Sequence, residues 1–134
     1  MIIEKASNKE VELLQNVNFR HPEYVGASLN HEALNYIPKR HGVNSVNVRN
    51  GESPITYEDI ANYRSFIDGA DDIFVDNNNL IAFKQINGYA VVVEQAVNRN
   101  SELVLKTMFK SSGDYKDNNA YIKLQDTKPS NGQP

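Results

Sequence analysis

Leu80-Ile81-Ala82-Phe83-Lys84-Gln85-Ile86, then Asn87-Gly88, then Tyr89-Ala90-Val91-Val92-Val93-Glu94-Gln95-Ala96-Val97 is the stretch that decides the fold. Two runs rich in β-branched and aromatic residues flank Asn-Gly, the strongest short signal for a β-hairpin. A turn there pairs Ile86 with Tyr89 and sets Lys84 opposite Val91. A second turn at 98–101, centred on Arg99-Asn100, leads into a third strand at 102–110. That centre sets Glu94 opposite Leu105, Val93 opposite Lys106 and Val92 opposite Thr107. Alternation then gives two faces. One carries Ala82, Lys84, Val91, Val93, Lys106 and Met108. The other carries Ile81, Phe83, Val92, Glu94, Leu105, Thr107 and Phe109. Each mixes apolar with polar residues, so alternation does not name the buried side, and a bulge would exchange Lys106 and Thr107.

Working outward, the apolar run 73–75 reads as an edge strand on this meander. Residues 111–119 read as a polar loop and 121–124 as one more strand. The segment 126–134, with Pro129, Gly132 and Pro134, reads as a disordered tail behind a single domain at 1–125. Upstream the texture is helical. Ser7 with Glu10 is a capping box opening a helix over 8–16. Asn30 caps a helix that starts at His31, with Leu29 positioned to staple onto Leu34. Pro38 should kink or split it. Lys39, Arg40 and His41 fill its last turn, favourable against the helix dipole, and Gly42 suits a left-handed stop. Thr56 with Asp59 caps a third helix, ending near Asp68. Helices first and a sheet afterwards make an α+β fold.

Composition bounds the function. The chain has 134 residues, 40% hydrophobic and 23% charged, as expected of one globular domain. No apolar run approaches the roughly 20 residues of a membrane span, and the start lacks the basic and apolar regions of a secretory signal. A cytoplasmic location is expected, either in the producing cell or after delivery into a target cell. With no cysteine, thiol catalysis and disulfides are excluded. The net charge of -3 argues against general nucleic-acid binding, but seven carboxylates between Glu52 and Asp76, against Arg64 alone, carry the excess. The remainder is net positive, which allows a local basic face.

The histidines fall at 21, 31 and 41. In one continuous helix His31 and His41 would stand about 15 Å apart on different faces, which disfavours a metal triad. His21, before Pro22, reads as a turn residue. No phosphate-binding glycine loop, EF-hand or serine elbow is present, so neither a metal nor a cofactor is expected. What remains suits cleavage of a phosphodiester in RNA. There the 2′-hydroxyl is the nucleophile, and the protein needs a base, an acid and positive charge. His41 can move a proton near neutral pH. Lys39, Arg40, Lys84 and Lys106 can supply charge, and Thr107 can donate a hydrogen bond to a phosphate oxygen. The same residue types also fit solvated strand lysines and a dipole-stabilised helix end. Two other readings stay open: a non-catalytic structural or interaction module, and a transferase for a nucleotide-like substrate.

The order of segments adds to this. Leu29-Asn30-His31 and Lys39-Arg40-His41-Gly42 come first, then the helix opened by Ile55-Thr56-Tyr57-Glu58-Asp59-Ile60. The strands 82–94 and Leu103-Val104-Leu105-Lys106-Thr107-Met108-Phe109-Lys110 follow. This order resembles the phage-associated branch of the barnase–EndoU–colicin–RelE-like nuclease superfamily over residues 28–110. The resemblance implies helices packed on a curved antiparallel β-meander, with RNA bound on its open face and cleaved without a metal. It implies a toxin or phage-associated effector, or else a non-catalytic module of a phage particle. An RNA substrate and a cognate immunity or antitoxin protein are the implied partners. Carried over by position, His41 is the central catalytic residue, His31 an assisting histidine and Lys106 with Thr107 the polar pair of the late strand. Lys84 and Glu94 stand where further polar groups occur. One departure is Pro38, directly before the basic pair, which is unusual in a helix and bears on where His41 points.

Overall fold

Among the described residues six strands line up in the order β1–β2–β6–β5–β4–β3. They are β1 (Ile2–Lys5), β2 (Gly26–Ser28), β3 (Asp72–Asp76), β4 (Asn79–Ile86), β5 (Tyr89–Val97) and β6 (Glu102–Ser112). This computed structural model describes residues 2–16, 21–98 and 102–127. Strands β3 to β6 are the expected antiparallel meander, with β3 at its edge. Strand β2 runs parallel to β6, and β1 pairs antiparallel with β2. These two strands have no counterpart in the sequence reading. They span only four and three residues, too short for alternation to register, and β6 supplies the template that holds them.

The central hairpin has the expected register, Ile86 with Tyr89 and Lys84 with Val91. Gly88 takes φ +75, a conformation that glycine adopts without cost. The register of β6 differs from expectation by two residues: Val93 faces Met108, Val92 faces Phe109 and Glu94 faces Thr107. The expected turn centre, Arg99-Asn100, lies outside the described residues. A bulge opposite Glu94 and Gln95 leaves Lys106 as the extra residue. Its physical effect is to put Leu105 and Met108, three apart, on the same buried face.

The helices are α1 (Asn8–Asn16), α2 (His31–His41), α3 (Val46–Arg49), α4 (Tyr57–Ala61), α5 (Tyr63–Asp68) and α6 (Asn119–Thr127). The caps form as read. Ser7 and Glu10 exchange hydrogen bonds of 2.8 and 3.2 Å, Asn30 Oδ1 accepts from the Ala33 amide, and Thr56 and Asp59 make a reciprocal pair. Four expectations are corrected. Pro38 does not split α2, which is continuous to His41. Gly42 is not left-handed but extended, at φ −82 and ψ 177. Glycine is needed there for space, since a Cβ would stand 2.3 Å from the Pro38 carbonyl oxygen. The third helix breaks at Asn62 into α4 and α5. Residues 121–124 are helical in α6, because Tyr121 and Leu124, three apart, must face the sheet together. Strand β6 also runs on to Ser112, and a single turn at Tyr115–Asp117 stands where loop was expected. Asp126 and Thr127 close α6, and the rest of the expected tail, 128–134, lies outside the described residues.

Two apolar layers cover the sheet. On one face Ile37, Ile60, Tyr63 and Ile67 from the helices pack on Ala82, Val91, Val93, Leu105 and Met108. On the other, Phe74, Ile81, Phe83 and Val92 lie under Leu124, with Tyr115 and Tyr121 at the margin. One polar network is sealed within the helix side. The Arg64 guanidinium donates to Glu10 at 2.8 and 3.0 Å and to Gln95 at 3.0 Å, and Gln95 donates to Glu10 at 2.6 Å. It ties α1, α5 and β5 together.

Candidate active site

Strand β2 pairs with β6 only at Glu102, Leu103 and Val104. Beyond that point, among the described residues, β6 offers a free edge broken by a single bridge between Ser53 and Lys110. Helix α2 packs on β6 and ends at this edge. Its C-terminal carbonyls are capped from the loop that follows. The Asn47 side chain donates to the Arg40 carbonyl at 2.7 Å, and the Ile55 amide donates to the His41 carbonyl at 2.8 Å. Between those two contacts Gly51, at φ +108, reverses the chain and returns Glu52 toward the helix. The result is a fixed imidazole. His41 Nδ1 lies 2.9 and 3.0 Å from the two Glu52 carboxylate oxygens, and the ring stacks on Phe109 at 5.4 Å between centroids and 28° between planes. Both side chains of the pair are mostly buried, at 12% and 15% exposure.

The carboxylate fixes the tautomer, because it can only accept. Nδ1 therefore carries a proton toward Glu52, and Nε2 is the atom left for proton transfer. The His41 side of this site borders a cavity of about 740 Å³, lined among others by Tyr36, Arg40, His41, Glu52, Thr107 and Phe109. The Arg40 guanidinium lies over the Tyr36 ring at 5.6 Å. Lys110, also on this wall, is held by Asp59 at 2.9 Å. A second cavity, of about 490 Å³, shares Tyr36 and Thr107 and adds Glu94 and Lys106. Thr107 Oγ1 stands between the two, shielded from solvent and without a hydrogen-bond partner among the described residues. Glu94 faces Thr107 across the strands. Burial pushes its carboxyl above the usual carboxylate range, with Asp76 adding to the rise and Lys106 opposing it.

The fold thus brings together His41, Arg40, Lys106 and Thr107 around one edge of β6. It does not bring His31, Lys39 or Lys84 there. His31 and Lys39 are exposed on α2 and line neither cavity, and Lys84 lies beside Gly69 at the end of α5. His21 is exposed at the head of the single turn Pro22–Tyr24. No three His, Asp or Glu side chains among the described residues are placed to hold a metal ion. Glu52, Phe109 and Tyr36 are participants that sequence reasoning passed over. Glu52 looked like the first member of an acidic surface run. The usable signal was Asn50-Gly51, a turn dipeptide that sends the next residue back on the chain before it.

The family described as phage-Barnase-EndoU-ColicinE5/D-RelE like nuclease3 matches residues 4–118. That span contains every residue of the two cavities and stops immediately before α6. No curated protein and no solved structure matches the chain.

Proposed function

The chain belongs to this family of phage-associated nucleases, from which we infer that its substrate is a nucleic acid. From that footing we propose that it is a metal-independent endoribonuclease whose proton transfers pass through His41 and Glu94. The observation that carries the reading is the fixed imidazole, clamped by Glu52 and Phe109, on the wall of a cavity that also holds Arg40 and Thr107. Its chemistry needs no component outside the chain. The Glu94 carboxylate takes the proton from the 2′-hydroxyl, and O2′ attacks phosphorus. The P–O5′ bond breaks, and protonated His41 gives its Nε2 proton to the leaving O5′. The products are a 2′,3′-cyclic phosphate and a 5′-hydroxyl. Arg40 and Lys106 offset charge on the phosphoryl oxygens, and the shielded, partnerless Thr107 hydroxyl donates to one of them once it turns toward the cavity. A carboxyl raised by burial is a stronger base than a free one, which suits Glu94 to this role.

In this reading the protein is a toxin or a phage-associated effector, acting in a cytoplasm and restrained in its producer by a cognate immunity protein. No helix among the described residues is long and apolar enough to cross a membrane. The test is cleavage of single-stranded RNA in the presence of a chelator, with the termini identified by mass spectrometry. The parent should yield cyclic phosphates, and His41→Ala should be slower by about 10²- to 10⁴-fold. His41→Ala cutting as fast as the parent removes His41 from the mechanism. A pure parent that cuts no RNA removes the activity and leaves the interaction-module reading in its place. Expression without an inhibitor should slow growth of a bacterial host, and unaffected growth argues against the toxin role.

A further inference from the structure

Helix α6 lies beyond the span that matches the family, yet it is seated on the same sheet face as Glu94 and Phe109. Between α6 and the sheet is a cavity of about 320 Å³. The sheet lines it with Ile81, Val92 and Phe109, and α6 lines it with Ala120 and Leu124. Asp76, Glu94 and Lys123 are its charged lining residues. Two residues of the candidate active site therefore belong to this cavity as well. Phe109 has one side taken by the His41 ring, and Glu94 also lines the groove that holds Lys106 and Thr107.

We propose that this cavity binds the nucleobase of the nucleotide that supplies the attacking 2′-hydroxyl. The proposal rests on the ribonuclease reading for the role of Glu94. The argument is geometric. If Glu94 takes the 2′-hydroxyl proton, the ribose of that nucleotide must sit at Glu94, and its base must occupy one of the spaces adjoining that carboxylate. The groove on the Lys106 side is wanted for the phosphate. The space on the other side is an apolar slot with an aromatic wall, which suits a planar base. Because α6 builds one wall, the preference for that base is set by a part of the chain outside the family match.

Ala120 lies on α6 and lines the cavity, whereas Ile122 on the same helix is 44% exposed and does not. Ala120→Trp fills the slot, and Ile122→Trp is the matched control. The chain has no other tryptophan, so fluorescence and thermal unfolding show whether each variant folds. The first measurement is independent of turnover: titration of the four nucleoside 3′-monophosphates into isotope-labelled protein, followed by amide shifts. Shifts at Val92, Phe109 and Leu124, strongest for one base and lost in Ala120→Trp alone, support the subsite. No such shifts with any base, or binding that survives Ala120→Trp, overturns it. The second measurement is kcat/KM for dinucleotides that vary the base on either side of the phosphate. The parent should discriminate at the upstream base by about 10-fold or more, and Ala120→Trp should compress that to about 2-fold while leaving downstream preference unchanged. Preference retained in Ala120→Trp overturns the proposal. Base binding without any cleavage supports the subsite and sinks the ribonuclease reading separately.

Discussion

Replacing Glu52 with glutamine tests the site at its least obvious residue. The substitution keeps the length of the side chain and one acceptor oxygen but removes the charge that meets His41 Nδ1 at 2.9 and 3.0 Å. With side chains 12% and 15% exposed, this charge-assisted hydrogen bond is little screened by solvent. Such a bond is worth about 1.5–3 kcal/mol. That bond holds the ring with its Nδ1 proton toward Glu52, so its loss lowers the share of the protein whose His41 is poised to deliver the Nε2 proton. At about 1.4 kcal/mol per factor of ten, kcat should fall by about 10- to 150-fold. The KM should change less than kcat, because both carboxylate oxygens of Glu52 are engaged by His41 Nδ1.

The assay is steady-state cleavage of a short fluorogenic RNA by parent, Glu52→Gln, His41→Ala and the double variant. A residue that acts only through His41 has nothing left to do once the imidazole is gone. The double variant should therefore be no slower than His41→Ala, and the two effects should be strongly non-additive. Multiplied losses in the double variant, or a folded Glu52→Gln with parental kcat, would refute the positioning argument.

Three further expectations follow from buried polar groups. Thr107→Val removes a hydroxyl that has no partner among the described residues, so stability should hold or rise slightly while kcat falls by about 10-fold, as judged by thermal melts beside kinetics. Glu94→Gln should remove the acidic limb of the pH–rate profile. Because burial raises the folded-state pKa of Glu94 above 4.5, its ionised form costs stability at neutral pH and the cost fades as pH falls through that value. Urea melts should thus find Glu94→Gln more stable than the parent at pH 7 and no better near pH 4.5. Arg64→Met strands Glu10, which is fully buried, and should cost about 3–5 kcal/mol in chemical denaturation, with most of it recovered by adding Glu10→Leu. Burial raises the Glu10 carboxyl, but the charge and hydrogen bonds of Arg64, with help from Ser7 and Gln95, more than offset this and hold it below 4.5. Its stabilisation is complete above that pH and is lost as pH falls below it, so Glu10→Gln should flatten the acid end of the stability curve.

What the sequence made legible is what short-range chemistry decides. The Asn87-Gly88 hairpin, the caps at Ser7, Asn30 and Thr56 and the stop of α2 before Gly42 are set by neighbours within about four residues. The resemblance drawn from segment order likewise reaches the family whose match covers 4–118. The misses share the opposite property. Strand β2 exists because β6, more than 70 residues later, offers it an edge. The β5–β6 register depends on a bulge whose benefit, burial of both Leu105 and Met108, is tertiary. Helix α6 has too few residues for its period to outweigh a β-like composition, and the aromatic floor of Phe74 and Phe83 decides it. In the site, Arg40 and His41 were legible as a basic helix end, whereas Glu52 acquires its meaning only from the turn at Gly51.

The same turn changes how the acidic charge should be read. Seven carboxylates between Glu52 and Asp76 make the chain net negative, which counts against a polyanionic substrate while they are taken as one surface run. In the fold four of the seven have separate tasks. Glu52 meets His41, Asp59 caps α4 and holds Lys110, Asp71 accepts from the Gln85 amide, and Asp72 accepts from Tyr115 and Tyr121. Two of these carboxylates sit beside the cationic residues they restrain rather than facing a substrate. The relevant quantity for a phosphate is then the potential in the cavity beside Arg40 and His41, not the sum over the chain. This has a measurable consequence. Cleavage by a protein that relies on a few local cations should depend only weakly on salt, with a slope of log(kcat/KM) against log[salt] near −1 to −2 on single-stranded RNA. A markedly steeper slope would mean an extended basic track that these residues do not provide.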